Sequence, residues 1–78
     1  NPDSYAWVLL SRAYGLQQNA AGYNYAAAEY SLRMHDIKLA RQQAEQALKS
    51  NPSQTLRLKL DDLMMRIKDE EKEMKKII

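Results

Sequence analysis

The chain contains no cysteine, so neither a disulfide framework nor a thiolate zinc site can be built from it. It contains no phenylalanine either, and the bulk of any core must come from tyrosine, leucine, methionine and alanine. Glycine and proline occur twice each, too few for a succession of strands and tight turns. No apolar run approaches the roughly 20 residues needed to span a bilayer, and no signal-peptide pattern is present. Neither sign of charge dominates. The 12 basic and 10 acidic residues are intermixed and leave a net charge of +2, which provides no concentrated phosphate-binding stripe and argues against a nucleic-acid partner.

What remains is a helical composition. Ala, Leu, Lys, Glu, Gln, Arg and Met, the residues with the best helix propensity, make up much of the 78 positions. A chain of this length reads as one domain, residues 1–78, or a piece of one from a longer protein, and buries only about 60–65% of the surface its unfolded form exposes. Its core is thin, and extra support from a partner or a parent protein would not be surprising.

Four helices follow from cap residues and apolar spacing. Asp3 or Ser4 predicts an N-cap for a first helix over about residues 4–18, with Trp7, Leu10 and Tyr14 on one face and Ala6 and Val8 beside them. Gly15 inside it costs about 1 kcal/mol relative to Ala and implies a close neighbour or a late distortion. Asn19 caps a second helix, about residues 20–34, with Tyr23, Ala26, Ala27, Tyr30 and Met34 as its expected buried stripe and Glu29–Arg33 as a surface i,i+4 pair. Asp36 caps a third, about residues 37–49. Its inner face is Ile37, Ala40, Ala44, Ala47 and Leu48, and its wet face carries Arg41, Gln42, Gln43, Gln46 and a Glu45–Lys49 pair. Pro52 stops that helix and Ser53 caps a fourth, about residues 54–75. There Leu56, Leu60, Leu63, Ile67, Met74 and Ile77 recur at heptad spacing, with Glu70 at the one interrupted position. The charged tail from Lys68 to Lys76 is expected to be solvent-exposed or frayed in its last two turns, and the far end, Met74 to Ile78, to overhang the shorter helices.

Trp7, Asn24, Arg41 and Leu58 lie 17 residues apart, each near the start of a helix, and two such steps make 34, the length of a tetratricopeptide (TPR) unit. Residues 24–52 resemble that unit. Ala27 and Ala28 stand at the small-residue contact of its first helix, and Ile37, Ala40, Ala44, Ala47, Leu48 and Pro52 follow the pattern of its second helix and closing proline. Trp7, Leu10, Ser11 and Tyr14 stand where W-x2-L-G-x2-Y opens a TPR helix. This match is half a repeat out of frame with the other, so the second helix must serve both. His35 takes the place of the usual turn glycine, and Asn24 that of a large residue. The resemblance implies an all-α, right-handed superhelical stack of antiparallel helices, and a protein or peptide as partner. A narrower resemblance covers about two thirds of the chain. Ala26, Ala28, Glu29, Tyr30, Leu32, Asp36 and Ala40 look like the A-x-A-E-Y-x-L-x-x-G-D-x-x-x-A segment in the C-terminal TPR region of BepA-type bacterial periplasmic zinc metallopeptidases. It implies a regulatory tail of a longer, periplasmic protein, without its H-E-x-x-H catalytic helix.

No catalytic set can be assembled from these residues. His35 is the one histidine and sits at a turn beside Asp36, which suits capping; alone it makes no ordinary zinc site. Asp61–Asp62 and Glu70–Glu71 are sequence neighbours whose side chains diverge around a helix, which suits solvated charge better than paired acid–base work. No cofactor is implied, and the chain reads as non-catalytic. Two interaction surfaces remain. Tyr25, Glu29 and Arg33 fall on one stripe at i, i+4, i+8 and are the expected protein-binding residues, provided Tyr25 faces outwards. The alternative is structural dimerisation through Leu60, Leu63, Ile67 and Met74 of the last helix, which otherwise caps the stack.

Overall fold

Four α-helices and the short turns between them account for residues 2–77, the part of the chain that this computed structural model describes; the side chains of residues 2, 3 and 77 are not among those described. Asp3 as a cap, and Ile77 and Ile78 as the end of the seam, therefore lie outside the described residues. The helices are α1 (Pro2–Leu16), α2 (Ala20–Arg33), α3 (Ile37–Lys49) and α4 (Gln54–Ile77), with no strand among the described residues. They form an all-α stack of antiparallel hairpins. The first helix starts earlier than its cap residues predict. Pro2 occupies the first turn, where its missing N–H costs nothing, and Ser4 lies buried within the helix instead of capping it.

The remaining starts are capped as expected. Asn19 Oδ1 accepts from the Gly22 N–H at 2.9 Å, Asp36 Oδ1 from the Leu39 N–H at 3.2 Å, and Ser53 Oγ from the Leu56 N–H at 3.1 Å. These three caps are themselves spaced at 17 residues. The ends also share a conformation. Gln18, His35 and Asn51 are left-handed, with φ of 57°, 62° and 55°. After α1, the Asn19 N–H reaches the Tyr14 carbonyl and the Gln18 N–H reaches that of Gly15; after α2, Asp36 and His35 repeat the pattern with Ser31 and Leu32. This paired closure satisfies carbonyls that a helix end otherwise leaves free. Thus His35 occupies a position that glycine usually fills. After α3 Pro52 has no N–H to complete the pair.

α2 is the centre of the packing: α1 lies on one side of it, α3 on the other, and α4 touches both α3 and α2. Ile37, Ala40, Ala44 and Ala47 of α3 are buried as predicted, with Leu48 half-buried beside them. Ala21, Tyr25 and Ala28 face them from α2, and Leu56, Leu60, Leu63 and Ile67 close the core from α4. The alanines let the helix axes approach, while the leucines fill the space that is left. A Ser31 hydroxyl hydrogen bond to Gln43 Oε1, at 2.6 Å, pins α2 to α3 within this layer.

Three sequence expectations are corrected here. The buried face of α2 is Ala21, Gly22, Tyr25, Ala26, Ala28, Glu29 and Ser31, while Tyr23 and Met34 are exposed and Ala27 and Tyr30 half-buried. Arg41 is not on a wet face. It forms a two-pronged pair with Glu71 of α4, at 2.7 and 2.5 Å, and its guanidinium also draws Glu45 to 3.4 Å in place of the expected Lys49. Finally, Leu60, Leu63 and Ile67 are fully buried within this one chain, so the proposed dimer seam is already occupied by α2 and α3. Of that set only Met74 is exposed. It lies on the overhang of α4, a helix of 24 residues and about 36 Å in a molecule 41 Å long.

Gly22 is the tightest point of the fold. A Cβ placed there would overlap the ring of Tyr14, whereas one at Gly15 would meet Tyr23 Cδ2 at an ordinary 3.7 Å. Gly22 therefore lets α1 close on α2. Gly22→Ala is expected to destabilise the protein by about 1–2 kcal/mol, the overpacking cost outweighing the roughly 1 kcal/mol gained in helix propensity. In a Tyr14→Ala background the same substitution is expected to stabilise. A double-mutant cycle by urea denaturation checks the reversal, and one sign in both backgrounds would refute the contact's role.

Candidate functional site

Glu29 lies in the middle of α2, 2% exposed, and is the one carboxylate among the buried side chains described. A buried carboxylate is tolerated only where its oxygens are fully hydrogen-bonded. Here four donors serve it. The Tyr25 hydroxyl donates to Oε2 at 2.9 Å from one turn back, and Arg33 donates to Oε1 at 2.8 Å from one turn on. Arg66 of α4 completes the set with a two-pronged contact, 3.0 Å to Oε1 and 2.7 Å to Oε2. Arg66 is held in turn by Asp62, one turn back, at 3.1 Å.

The network continues into α1. The Tyr25 ring meets Trp7 edge-on, centroids 5.7 Å apart and planes at 84°, the favoured aromatic geometry. The Arg33 guanidinium lies 5.0 Å above the Trp7 ring, in cation–π range. Three helices, α1, α2 and α4, are therefore tied together by one charged cluster. Burial alone would raise the Glu29 carboxyl, but the hydrogen bonds from Arg66, Arg33 and Tyr25 outweigh it and hold the group below the ordinary carboxylate range. Burial and the negative charge of Glu29 push the Tyr25 phenol up, so it remains a hydrogen-bond donor. Arg66 is raised by its bond to Glu29 and stays cationic.

The predicted stripe is thus brought together, but not as a solvent-facing surface. Tyr25 and Glu29 point inwards, because Trp7 covers the first and Arg66 draws in the second. Only Arg33 keeps an outward face, its side chain 34% exposed, and Arg66 joins it at 40%. The two guanidiniums border an open groove of about 530 Å³ lined by Leu32, Arg33, His35, Arg66, Asp69 and Glu70. The end of α2 forms one wall and the middle of α4 the other. Glu29, itself held by Tyr25, sets the two arginines in place, while Asp69 and Glu70 add carboxylates to the lining. Sequence reading missed Arg66 and Trp7 as members of this site. A signal existed for Arg66, a long cation directly flanking the Leu63–Ile67 seam.

No group of three or more His, Asp or Glu side chains that could hold a metal ion occurs among the described residues, and no helix among them is long and apolar enough to cross a membrane. Comparison with protein-family models, with curated proteins and with solved structures finds no match to this chain.

Proposed function

We propose that this chain is a non-catalytic interaction module that holds a segment of another polypeptide in the groove between α2 and α4. The observation that carries this reading is the rigid mounting of Arg33 and Arg66. Each guanidinium is fixed on Glu29 and still exposes part of its surface at the groove. Arginines held in this way lose little conformational entropy on binding and offer charged, planar edges to a partner's backbone or side chains. Leu32 supplies apolar contact and Asp69 and Glu70 supply acceptors. The resemblance of residues 24–52 to a TPR unit supports a polypeptide as the occupant. The narrower resemblance extends the proposal to a parent zinc peptidase of the bacterial envelope, with substrate or assembly polypeptides as partners.

Peptides selected against the immobilised chain from a displayed random library test the groove. Their affinity, followed by fluorescence anisotropy, is expected to fall at least about tenfold with Arg33→Ala and with the double change Asp69→Lys/Glu70→Lys. Lys49→Ala, at the far end of α3, should leave it unchanged. Equal binding to all three folded variants would reject the groove.

A further inference from the structure

The groove between α2 and α4 carries a sign of charge that its arginines conceal. Arg33 and Arg66 border it, but both are already matched: buried Glu29 bonds to both guanidiniums, and Asp62 bonds to Arg66 as well. Asp69 and Glu70 are different. Both are exposed, both line the groove, and neither has an ion-pair partner among the described residues. The carboxylates of α4 that do pair with a cation are Asp62, Glu71 and Glu73. Arg66 stands three and four positions before Asp69 and Glu70, yet its guanidinium is taken by Glu29 and Asp62. Counted with His35 neutral, four carboxylates meet two guanidiniums here, so the groove holds two excess negative charges on a chain whose net charge is +2. Charge complementarity therefore favours a cationic occupant, with the surplus waiting at Asp69 and Glu70.

The arginines still have N–H groups to offer. A guanidinium carries several donors in a fixed plane. Arg66 gives its Nε to Asp62 and one hydrogen of each Nη to Glu29, which leaves the second hydrogen of each Nη. Arg33 reaches Glu29 through Nη1, which leaves its Nε and Nη2 without an acceptor among the described residues. A further carboxylate placed on these groups would face the carboxylates already present. A main-chain carbonyl brings an acceptor without a charge. Asp69 and Glu70 follow Arg66 by about one helical turn, roughly 5 Å along α4. An extended segment rises about 3.3 Å per residue, so a carbonyl on the arginines and a side chain one or two residues further on span the two ends. From this we infer that the α2–α4 groove takes a basic segment of polypeptide, with main-chain carbonyls on Arg33 and Arg66 and a Lys or Arg side chain on Asp69 and Glu70. The inference rests on the groove being a polypeptide site, and it gives that site a sign opposite to the one its arginines suggest.

Peptides recovered from a displayed random library on the immobilised chain are expected to be enriched in Lys and Arg and depleted of Asp and Glu. Two synthetic probes, blocked at both ends and alternating glycine with either lysine or glutamate, read the same preference by fluorescence anisotropy. The lysine probe is expected to bind at least about tenfold more tightly. Asp69→Asn/Glu70→Gln and Asp61→Lys raise the net charge of the chain equally, and Asp61 is exposed on α4 away from the groove lining. The first should weaken the lysine probe at least about fivefold and the second should leave it nearly unchanged. An equal loss with Asp61→Lys would overturn the inference, because the effect would then belong to the charge of the whole chain. Recovered peptides rich in Asp and Glu, released by Arg33→Ala, would also overturn it while keeping the groove as a polypeptide site. Binding that no groove substitution alters would reject the groove itself and the inference with it.

Discussion

Arg66→Ala is expected to destabilise the protein by about 3 kcal/mol at pH 7, and Arg33→Ala by about 1 kcal/mol. Removing one partner of a buried ion pair costs about 3–5 kcal/mol, and the lower end applies because Arg33 and Tyr25 stay with the carboxylate. The asymmetry follows from geometry, since the two arginines are similarly exposed. Arg66 supplies both oxygens of Glu29 and joins α4 to α2, whereas Arg33 supplies one oxygen from the same helix. For a chain of this size the total stability is of order 4–12 kcal/mol, so the first loss is large and the second small.

The pH dependence separates a charge effect from lost packing. The folded-state pKa of Glu29 is depressed, so its stabilisation is complete above the unfolded carboxylate pKa and disappears as pH falls through the folded value. Without Arg66, burial meets less opposition and Glu29 protonates more readily. The difference between the native protein and Arg66→Ala should therefore be greatest near pH 7 and shrink towards pH 3, as read by chemical denaturation at each pH. A difference that stays constant over this range would mean that Arg66 acts through its aliphatic stem alone.

What the sequence revealed depended on how strongly each helix was patterned. In α3 and α4 the apolar and polar faces alternate cleanly, so spacing alone places Ala40, Ala44, Ala47, Leu60, Leu63 and Ile67 inside, where they are found. Asn19, Asp36 and Ser53 marked three helix starts because only a few side chains can accept from a free first turn. α2 offered no such contrast. Alanine and tyrosine occur on every side of it, and its one acidic residue looked like surface. The outcome was decided by Arg66, 37 residues away, and pairwise charge neutralisation over that separation leaves no local trace. Gly22 did leave one, a helix-disfavouring residue in the first turn of an alanine-rich helix, but only the position of the Tyr14 ring explains it. The groove was not legible, since it arises where α4 passes the end of α2.

The seam of α4 was legible as a seam but not as to which chain it serves, and Leu63→Ala makes the distinction measurable. Leu63 is fully buried between α2, α3 and α4. Truncation removes its transfer free energy and leaves a cavity that rigid neighbouring backbones cannot close, a cost of about 3–4 kcal/mol. Met65, two residues on and 67% exposed, should lose less than about 0.5 kcal/mol on the same change. Because the contacts lie within one chain, the Leu63→Ala loss should be the same at 5 μM and at 500 μM protein. Contacts between copies would instead make the loss grow with concentration, as mass action requires. Equilibrium urea unfolding at the two concentrations reads both quantities, and a concentration-dependent loss would return Leu60, Leu63 and Ile67 to an intermolecular role.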